Sequence, residues 1–138
     1  MASLSALRDA LKATITGAIP ELHVYDTVPD NAQLPALIVT PRSAAFAEAM
    51  GRGVDSWEFE LVVLTQYGDP ATAQDALDRF VTGSGTASIR EAIWNNRSLG
   101  LTSTHTYVAA MSDYNARMEI GGTEVVGGKL RCLVLTTD

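Results

Sequence analysis

Hydrophobic positions follow a helical spacing at the start of the chain. Residues 3–19 place apolar side chains three and four positions apart, with polar side chains between them. Ser3 is a candidate N-cap, and Gly17 and Pro20 mark the expected end. The pattern predicts an amphipathic helix. The apolar positions on its buried side are Leu4, Leu7, Leu11, Ile15 and Ala18.

Three strand patterns come next. Residues 22–25 form a short β segment, and residues 34–40 are apolar throughout, which is typical of a strand covered on both faces. Residues 56–66 alternate, with Trp57 and Phe59 on one face and Glu58 and Glu60 on the other. The intervening residues, 41–55, predict a long loop with a short helix at 44–50, because Ala, Glu and Met favour helices.

Two further helices and a second β region complete the order. Asp69-Pro70 opens one helix, and the capping-box sequence that begins at Ser88 opens the next. Segments 104–111, 114–120, 123–126 and 130–136 have β character. The pair at 121–122 predicts a hairpin turn, and the glycine pair at 127–128 predicts a bulge or bend.

The order α-β-β-β-α-α-β-β-β predicts one α+β domain over residues 1–138. Its sheet is expected to be mixed and mostly antiparallel, with the helices packed on one face. A chain of 138 residues with 46% hydrophobic residues is long enough for one core without disulfides. No apolar run approaches the roughly 20 residues that a membrane span needs, and the first residues predict no secretory signal.

Charge and residue types restrict the chemistry. The net charge of −6 and the scattered Lys and Arg residues disfavour a nucleic-acid-gripping protein. The lone Cys132 excludes an internal disulfide or a multi-thiolate zinc site and is consistent with a reducing compartment. His23 and His105 have no partner at metal-ligand spacing, so a structural role is expected for both. We therefore predict no catalytic residue, cofactor or metal, and no enzyme activity.

Four stretches of the chain, in this order, carry a resemblance to a known family. They are the initial helix ending in LHVYDTVPD (22–30); LPALIVTP (34–41); GRGVDSWEFELVVLTQ (51–66) with DPATAQDALDRF (69–80); and GSGTASIREAI (83–93) with YNARMEIGGTEVVGGKLRCLVLTT (114–137). Together they resemble the tail terminator proteins of long-tailed, siphovirus-type bacteriophages, over nearly the whole chain.

The resemblance implies a structural virion protein at the neck end of the tail, assembled in the host cytoplasm. Such a subunit forms a ring, implied to be a hexamer, that ends the tail tube at its head-proximal end and docks to a neck or head-completion protein. The partners implied are copies of itself, the tail tube protein and the neck protein. DNA would pass through the lumen without specific binding, and no membrane is involved.

A ring requires one patch on each copy to meet a different patch on the next. Phe46 and Met50 are large apolar groups in the 41–56 segment, so they are candidate subunit-interface residues, although packing on their own core is an equal alternative. Arg52 is a candidate to pair with Glu58 of an adjacent copy, and Glu60 shares that strand face. For Arg52, Glu58 and Glu60, a solvated surface position is the simpler alternative.

Two other functions are consistent with the sequence. One is a different head–tail connector component, such as a stopper or head-completion protein. The other is a small α+β binding module that holds a ligand or a protein. A ring at the end of a tail tube would distinguish the terminator from both.

Overall fold

A mixed sheet with the strand order β1-β2-β3-β5-β4 organises the chain in the computed structural model. The structure describes residues 3–27, 33–46, 54–66, 70–120 and 123–137. Strand β1 pairs in parallel with β2, and the other three strand pairs are antiparallel. The strands are β1 (His23–Tyr25), β2 (Ala36–Ala45), β3 (Val54–Gln66), β4 (Thr104–Ile120) and β5 (Thr123–Thr137).

Three helices cover one face of this sheet: α1 (Leu4–Ala18), α2 (Pro70–Val81) and α3 (Ile89–Trp94). Their apolar side chains pack against alternate residues of the central strands, which keeps both sets out of water. The largest fully buried members of this core include Phe59, Phe80, Leu7, Leu11, Ile15, Leu37, Leu61, Leu77 and Ile89. The predicted α+β class, with a mostly antiparallel sheet and helices on one face, is confirmed.

Strand β4 has an irregular register between Ser112 and Ala116 that divides it into two segments. With these segments counted separately, the sheet has six strand segments, and the predicted order α-β-β-β-α-α-β-β-β is confirmed. The glycine pair of β5 does not form the predicted bulge, because β5 keeps an unbroken register with β3 through Gly127 and Gly128. The irregularity lies opposite, on β4, where a Cβ on Gly128 would be 3.8 Å from the Cα of Tyr114.

The first helix begins as the sequence predicts and ends differently. The Ser3 hydroxyl accepts a 3.1 Å hydrogen bond from the Ala6 N–H, so the predicted N-cap is confirmed. Gly17 lies inside the helix, and the Ile19 N–H closes it by donating to the Ile15 carbonyl at 2.8 Å. Ala18, predicted on the buried side, is exposed.

The predicted helix at 44–50 is wrong at its start. Ala44 and Ala45 belong to β2, where they pair with Trp57 and Ser56 of β3. Strand β3 is 13 residues long, so its backbone N–H and C=O groups continue past the position that pairs with residue 40 of β2. Strand β2 therefore extends beyond residue 40 and pairs with those groups. The remainder of that helix, residues 47–50, lies outside the described residues, as do Asp69 and the turn at 121–122.

The turn from α2 to α3 is held by a capping box with a modified second contact. The Ser88 hydroxyl accepts from the Glu91 N–H at 3.2 Å, as the sequence predicts. The Glu91 carboxylate accepts from the Gly85 N–H at 2.6 Å instead of reaching the Ser88 backbone. Glycine suits this position because its φ is +120°. In the described part of the chain, no helix is long and apolar enough to cross a membrane.

Candidate functional site

Four charged side chains form a row across the sheet face opposite the helices. We call Arg42, Glu60, Lys129 and Asp113 the charged row. Arg42 Nε lies 3.6 Å from a Glu60 carboxylate oxygen, and Lys129 Nζ lies 3.7 Å from the other. Lys129 Nζ also lies 3.4 Å from an Asp113 carboxylate oxygen. The row thus runs from β2 through β3 and β5 to β4, with one side chain from each strand.

Glu58 forms a second ionic contact beside the row. The Arg131 guanidinium donates to its carboxylate, and the Ser43 hydroxyl donates to it at 3.0 Å. These two hydrogen bonds, the one from Arg131 first, hold the pKa of Glu58 below its usual value of 4.5 because both favour the charged form. Glu58 is therefore ionised at neutral pH and is committed to partners in its own chain.

The ionic groups surround a depression of about 350 Å³. Three cationic side chains (Arg42, Lys129 and Arg131) line it, and they pair with the carboxylates of Glu58, Glu60 and Asp113. Because the charges balance, the depression has no surplus charge to attract a phosphate or a free cation. The arrangement is suited to a surface that orients a partner by its charge pattern.

The sheet face changes character on either side of the charged row. Toward one end, Ala36, Ile38, Leu64 and Val125 are buried as a small second core. Toward the other end, Tyr107 is 39% exposed and is paired in register with the half-buried Leu133. No helix covers this second end among the described residues. An apolar surface of this kind, next to balanced charges, is typical of a protein–protein contact.

The predicted interface residues have separate environments in the structure. Phe46 is 64% exposed, and its ring meets the Trp57 ring edge-on, with 5.5 Å between centroids. Phe46 therefore touches its own domain through Trp57 while most of its side chain is exposed, and its place in a subunit interface stays a prediction. Met50 and Arg52 lie outside the described residues. Glu58 and Glu60 share one sheet face, as their spacing predicts, and both have ionic partners within the chain.

Sequence reasoning missed the partners of these glutamates. Lys129 and Arg131 are about 70 positions away from them along the chain, and only the β3–β5 register brings the two pairs together. Arg42 and Asp113 belong to the opposite outer parts of the sheet and were not singled out either. One signal was present, since β3 and β5 both place charged residues on alternate positions, which is typical of cross-strand ion pairs.

The remaining groups considered for chemistry are isolated. His23 and His105 are exposed on separate strands, and the described residues contain no group of three or more His, Cys, Asp or Glu side chains that would hold a metal ion. Burial of Cys132 raises the pKa of its thiol to about 12, because the apolar core disfavours a thiolate. The thiol is thus unsuited to act as a nucleophile in the folded chain.

The Tyr114 hydroxyl donates to the Asp78 carboxylate and ties β4 to α2. This contact raises the pKa of Tyr114, because the neighbouring negative charge disfavours a phenolate. Tyr114 therefore acts as a fixed donor that anchors the irregular part of β4 to the helical layer.

Comparison with known proteins gives no indication of function, so the charged sheet face described above is the main guide to it. No protein-family model matches the chain. No curated protein matches it significantly.

Proposed function

We propose that this chain is a structural subunit that assembles with copies of itself into a ring, and that the ring is the tail terminator of a long-tailed bacteriophage. The observation that carries the proposal is the pair of unlike sheet edges. On one side, β1 pairs with only three residues of β2, so residues 39–45 have no strand beside them on that edge among the described residues. On the other side, β4 presents an edge 17 residues long.

Unpaired strand edges offer backbone N–H and C=O groups to another chain, and monomeric proteins usually keep them short or covered. Strand β4 is long and also carries three of the five large exposed hydrophobic side chains found among the described residues: Tyr107, Met111 and Tyr114. Exposed aromatic and Met side chains are enriched at protein interfaces. The edge therefore supports a protein contact better than permanent exposure to water.

The two edges are different surfaces, so a contact between them is heterologous. A heterologous contact forms a closed ring when the rotation from copy to copy closes. The resemblance to tail terminators supplies the place for such a ring, at the head-proximal end of the tail tube, as a hexamer that stops tube growth and docks to the neck. The net charge of −6 favours a lumen through which DNA passes without adhering.

A structural role also accounts for the lack of assembled chemistry. The described residues contain no cluster of His, Cys, Asp or Glu side chains that could hold a metal ion, and burial of Cys132 disfavours a nucleophilic thiolate. The cationic side chains that line the depression over the ionic groups are each paired with a carboxylate, whereas sites for small ligands are lined mostly by apolar side chains. A role in protein–protein contacts thus requires no group beyond the strand edges and exposed side chains described above.

Electron microscopy of the purified protein, alone and mixed with tail tubes from the same source, tests the proposal. We expect rings at one end of the tubes and shorter, uniform tubes when the protein is present during tube assembly. Rings that bind only neck particles would instead identify a stopper or head-completion protein. A protein that stays monomeric, binds no tube and retains a small molecule would favour the binding module and contradict the proposed function.

A further inference from the structure

The charged row runs from Arg42 on β2 to Asp113 on β4. We infer that the β2 edge of one copy docks against the β4 edge of its neighbour, with Arg42 of the first copy paired to Asp113 of the second. The inference rests on the ring-forming part of the proposed function and identifies the two surfaces that form each contact.

The signs of the charges carry the argument. Along the row the order is Arg42 positive, Glu60 negative, Lys129 positive and Asp113 negative, and each neighbouring pair lies within 3.4–3.7 Å. The row therefore begins with a cation at one edge of the sheet and ends with an anion at the other. A second copy placed edge to edge in the same orientation continues the alternation without a break, because its Arg42 follows the first copy's Asp113.

Both end groups retain capacity for a second partner. The Arg42 side chain is 60% exposed and uses Nε toward Glu60, which leaves donors on its guanidinium. The Asp113 side chain is 58% exposed and uses one carboxylate oxygen toward Lys129. The two inner members are less exposed, at 22% for Glu60 and 33% for Lys129, so the available ends of the row are at the sheet edges.

Strand direction agrees with this contact. Strands β2 and β5 run one way, and β3 and β4 run the other, as the three antiparallel pairings require. The charged row crosses the strands obliquely, because the register places Arg42 level with Tyr107 and Val108 of β4, and Asp113 lies about five residues further along that strand. A neighbour that continues the row is therefore related by rotation about an axis inclined to the strands, as in closed barrels. Its β2 still meets the neighbouring β4 antiparallel. The junction would then have the same pairing as the rest of the sheet. The rotation also keeps every charged row on the same side of the ring.

Charge reversal in two separate variants tests the inference. Arg42→Glu places a carboxylate opposite Asp113, and Asp113→Arg places a guanidinium opposite Arg42, so each variant alone has a repulsive contact at every junction. We expect each to associate at least about tenfold more weakly than the wild type. An equimolar mixture should assemble again. In a ring of alternating variants, each introduced glutamate meets an introduced arginine, and each remaining Arg42 meets a remaining Asp113. A ring with an even number of copies satisfies every contact.

Light scattering and electron microscopy provide the readout, and circular dichroism confirms that each variant is folded. Lys12→Glu and Asp9→Arg, on the exposed side of α1, are the matched control reversals and should assemble as the wild type does. Arg42→Gln and Asp113→Asn replace the reversals if either fails to fold, and each should weaken association. Single reversals that assemble normally, or a mixture that stays dissociated, would overturn the inference.

Cysteine cross-linking is an independent measurement of the same contact. Within one chain, residues 42 and 113 are separated by three strand spacings, about 14 Å across the sheet, and are also offset along the strands, so they are too far apart for a disulfide. A chain with Arg42→Cys and Asp113→Cys should therefore form an oxidative ladder of cross-linked copies. Cys132 is buried and does not compete. Arg42→Cys with Lys12→Cys is the control and should give no ladder. Absence of the ladder from the first variant would contradict the contact.

These measurements separate the inference from the proposed function. If wild-type rings form and cap tubes while the reversals have no effect, the inferred contact is wrong and the terminator role stands. If the reversals and their mixture behave as expected but no ring binds a tube, the contact is correct and the terminator role is wrong. A wild-type chain that remains monomeric up to about 1 mM overturns the contact directly.

Discussion

Arg131 and Glu58 form a diagonal ion pair across β3 and β5. In the strand register Glu58 is opposite Leu133, and Arg131 is opposite Glu60, so the guanidinium reaches one pair further along the sheet to meet the Glu58 carboxylate. Diagonal neighbours are within reach of long side chains. As a consequence, Arg131 does not occupy the Glu60 carboxylate, which pairs with Arg42 and Lys129 instead. These two pairs make the charged row possible.

The first prediction concerns the pH dependence of stability. Since its pKa is lowered in the folded state, Glu58 contributes stability that is present above about pH 4.5 and is lost as the pH falls through the folded pKa. The thermal midpoint of the wild type should thus fall more steeply with acid than that of Glu58→Gln. Arg131→Gln removes the largest cause of the shift and should flatten the dependence as well. Retention of the wild-type slope in Arg131→Gln would contradict the pairing.

A second prediction compares two phenylalanines. Phe59 is fully buried, and Phe59→Ala should reduce the free energy of unfolding by about 3–5 kcal/mol, because it removes apolar burial and leaves a cavity. Phe46 is 64% exposed, and Phe46→Ala should cost less than about 1 kcal/mol. Urea unfolding of both variants measures the difference. Equal losses would show that Phe46 belongs to the core of the isolated chain.

The third prediction concerns the turn before α3. The buried Ser88 hydroxyl accepts from the Glu91 N–H and donates to the Thr82 carbonyl at 2.6 Å. Ser88→Ala should cost about 1–2 kcal/mol, because it removes an N-cap and leaves a carbonyl without its donor. Ser3→Ala removes an exposed cap of α1 and should cost less, about 0.5–1 kcal/mol. Chemical denaturation orders the two variants, and a larger loss for Ser3 would contradict the assignment.

A fourth prediction uses the lone cysteine. The folded-state pKa of Cys132 is raised to about 12, so the thiol should react with a thiol-specific reagent only after unfolding. The same shift makes stability fall as the pH rises above the usual value of 9.0, by up to about 1.4 kcal/mol per pH unit. Cys132→Ala lacks this contribution and should have a shallower alkaline slope. Rapid labelling of the native protein would contradict burial of the thiol.

The fifth prediction addresses the apolar groups after β2. The double variant Phe46→Asp with Met50→Asp should fold and should cap at least about tenfold fewer tail tubes, because charged groups would replace an apolar contact. Circular dichroism and counts of ring-capped tube ends in micrographs measure the two properties. Normal folding with undiminished capping would show that these residues lie outside the interface. Lys12→Glu provides a surface control.

The helices and the inner strands could be predicted from local pattern. Leu7, Leu11 and Ile15 recur at helical spacing and are all buried, and Ser3 and Ser88 cap helices as their positions predict. These features depend on residues three or four positions apart, so they are readable along the chain. The apolar run at 34–40 is likewise buried on both faces at Ala36, Leu37, Ile38 and Val39.

Only the tertiary structure decided where β2 ends, where β4 is irregular and which charges meet. Ala44 and Ala45 are part of a strand because β3 supplies a partner for them. The glycine pair at 127–128 forms no bulge itself and instead lies opposite the irregular part of β4. The charged row takes one residue from each of four strands, and Arg42 is 71 positions before Asp113 in the sequence. Pairing register brings such residues together, and register depends on long-range packing that no local pattern contains.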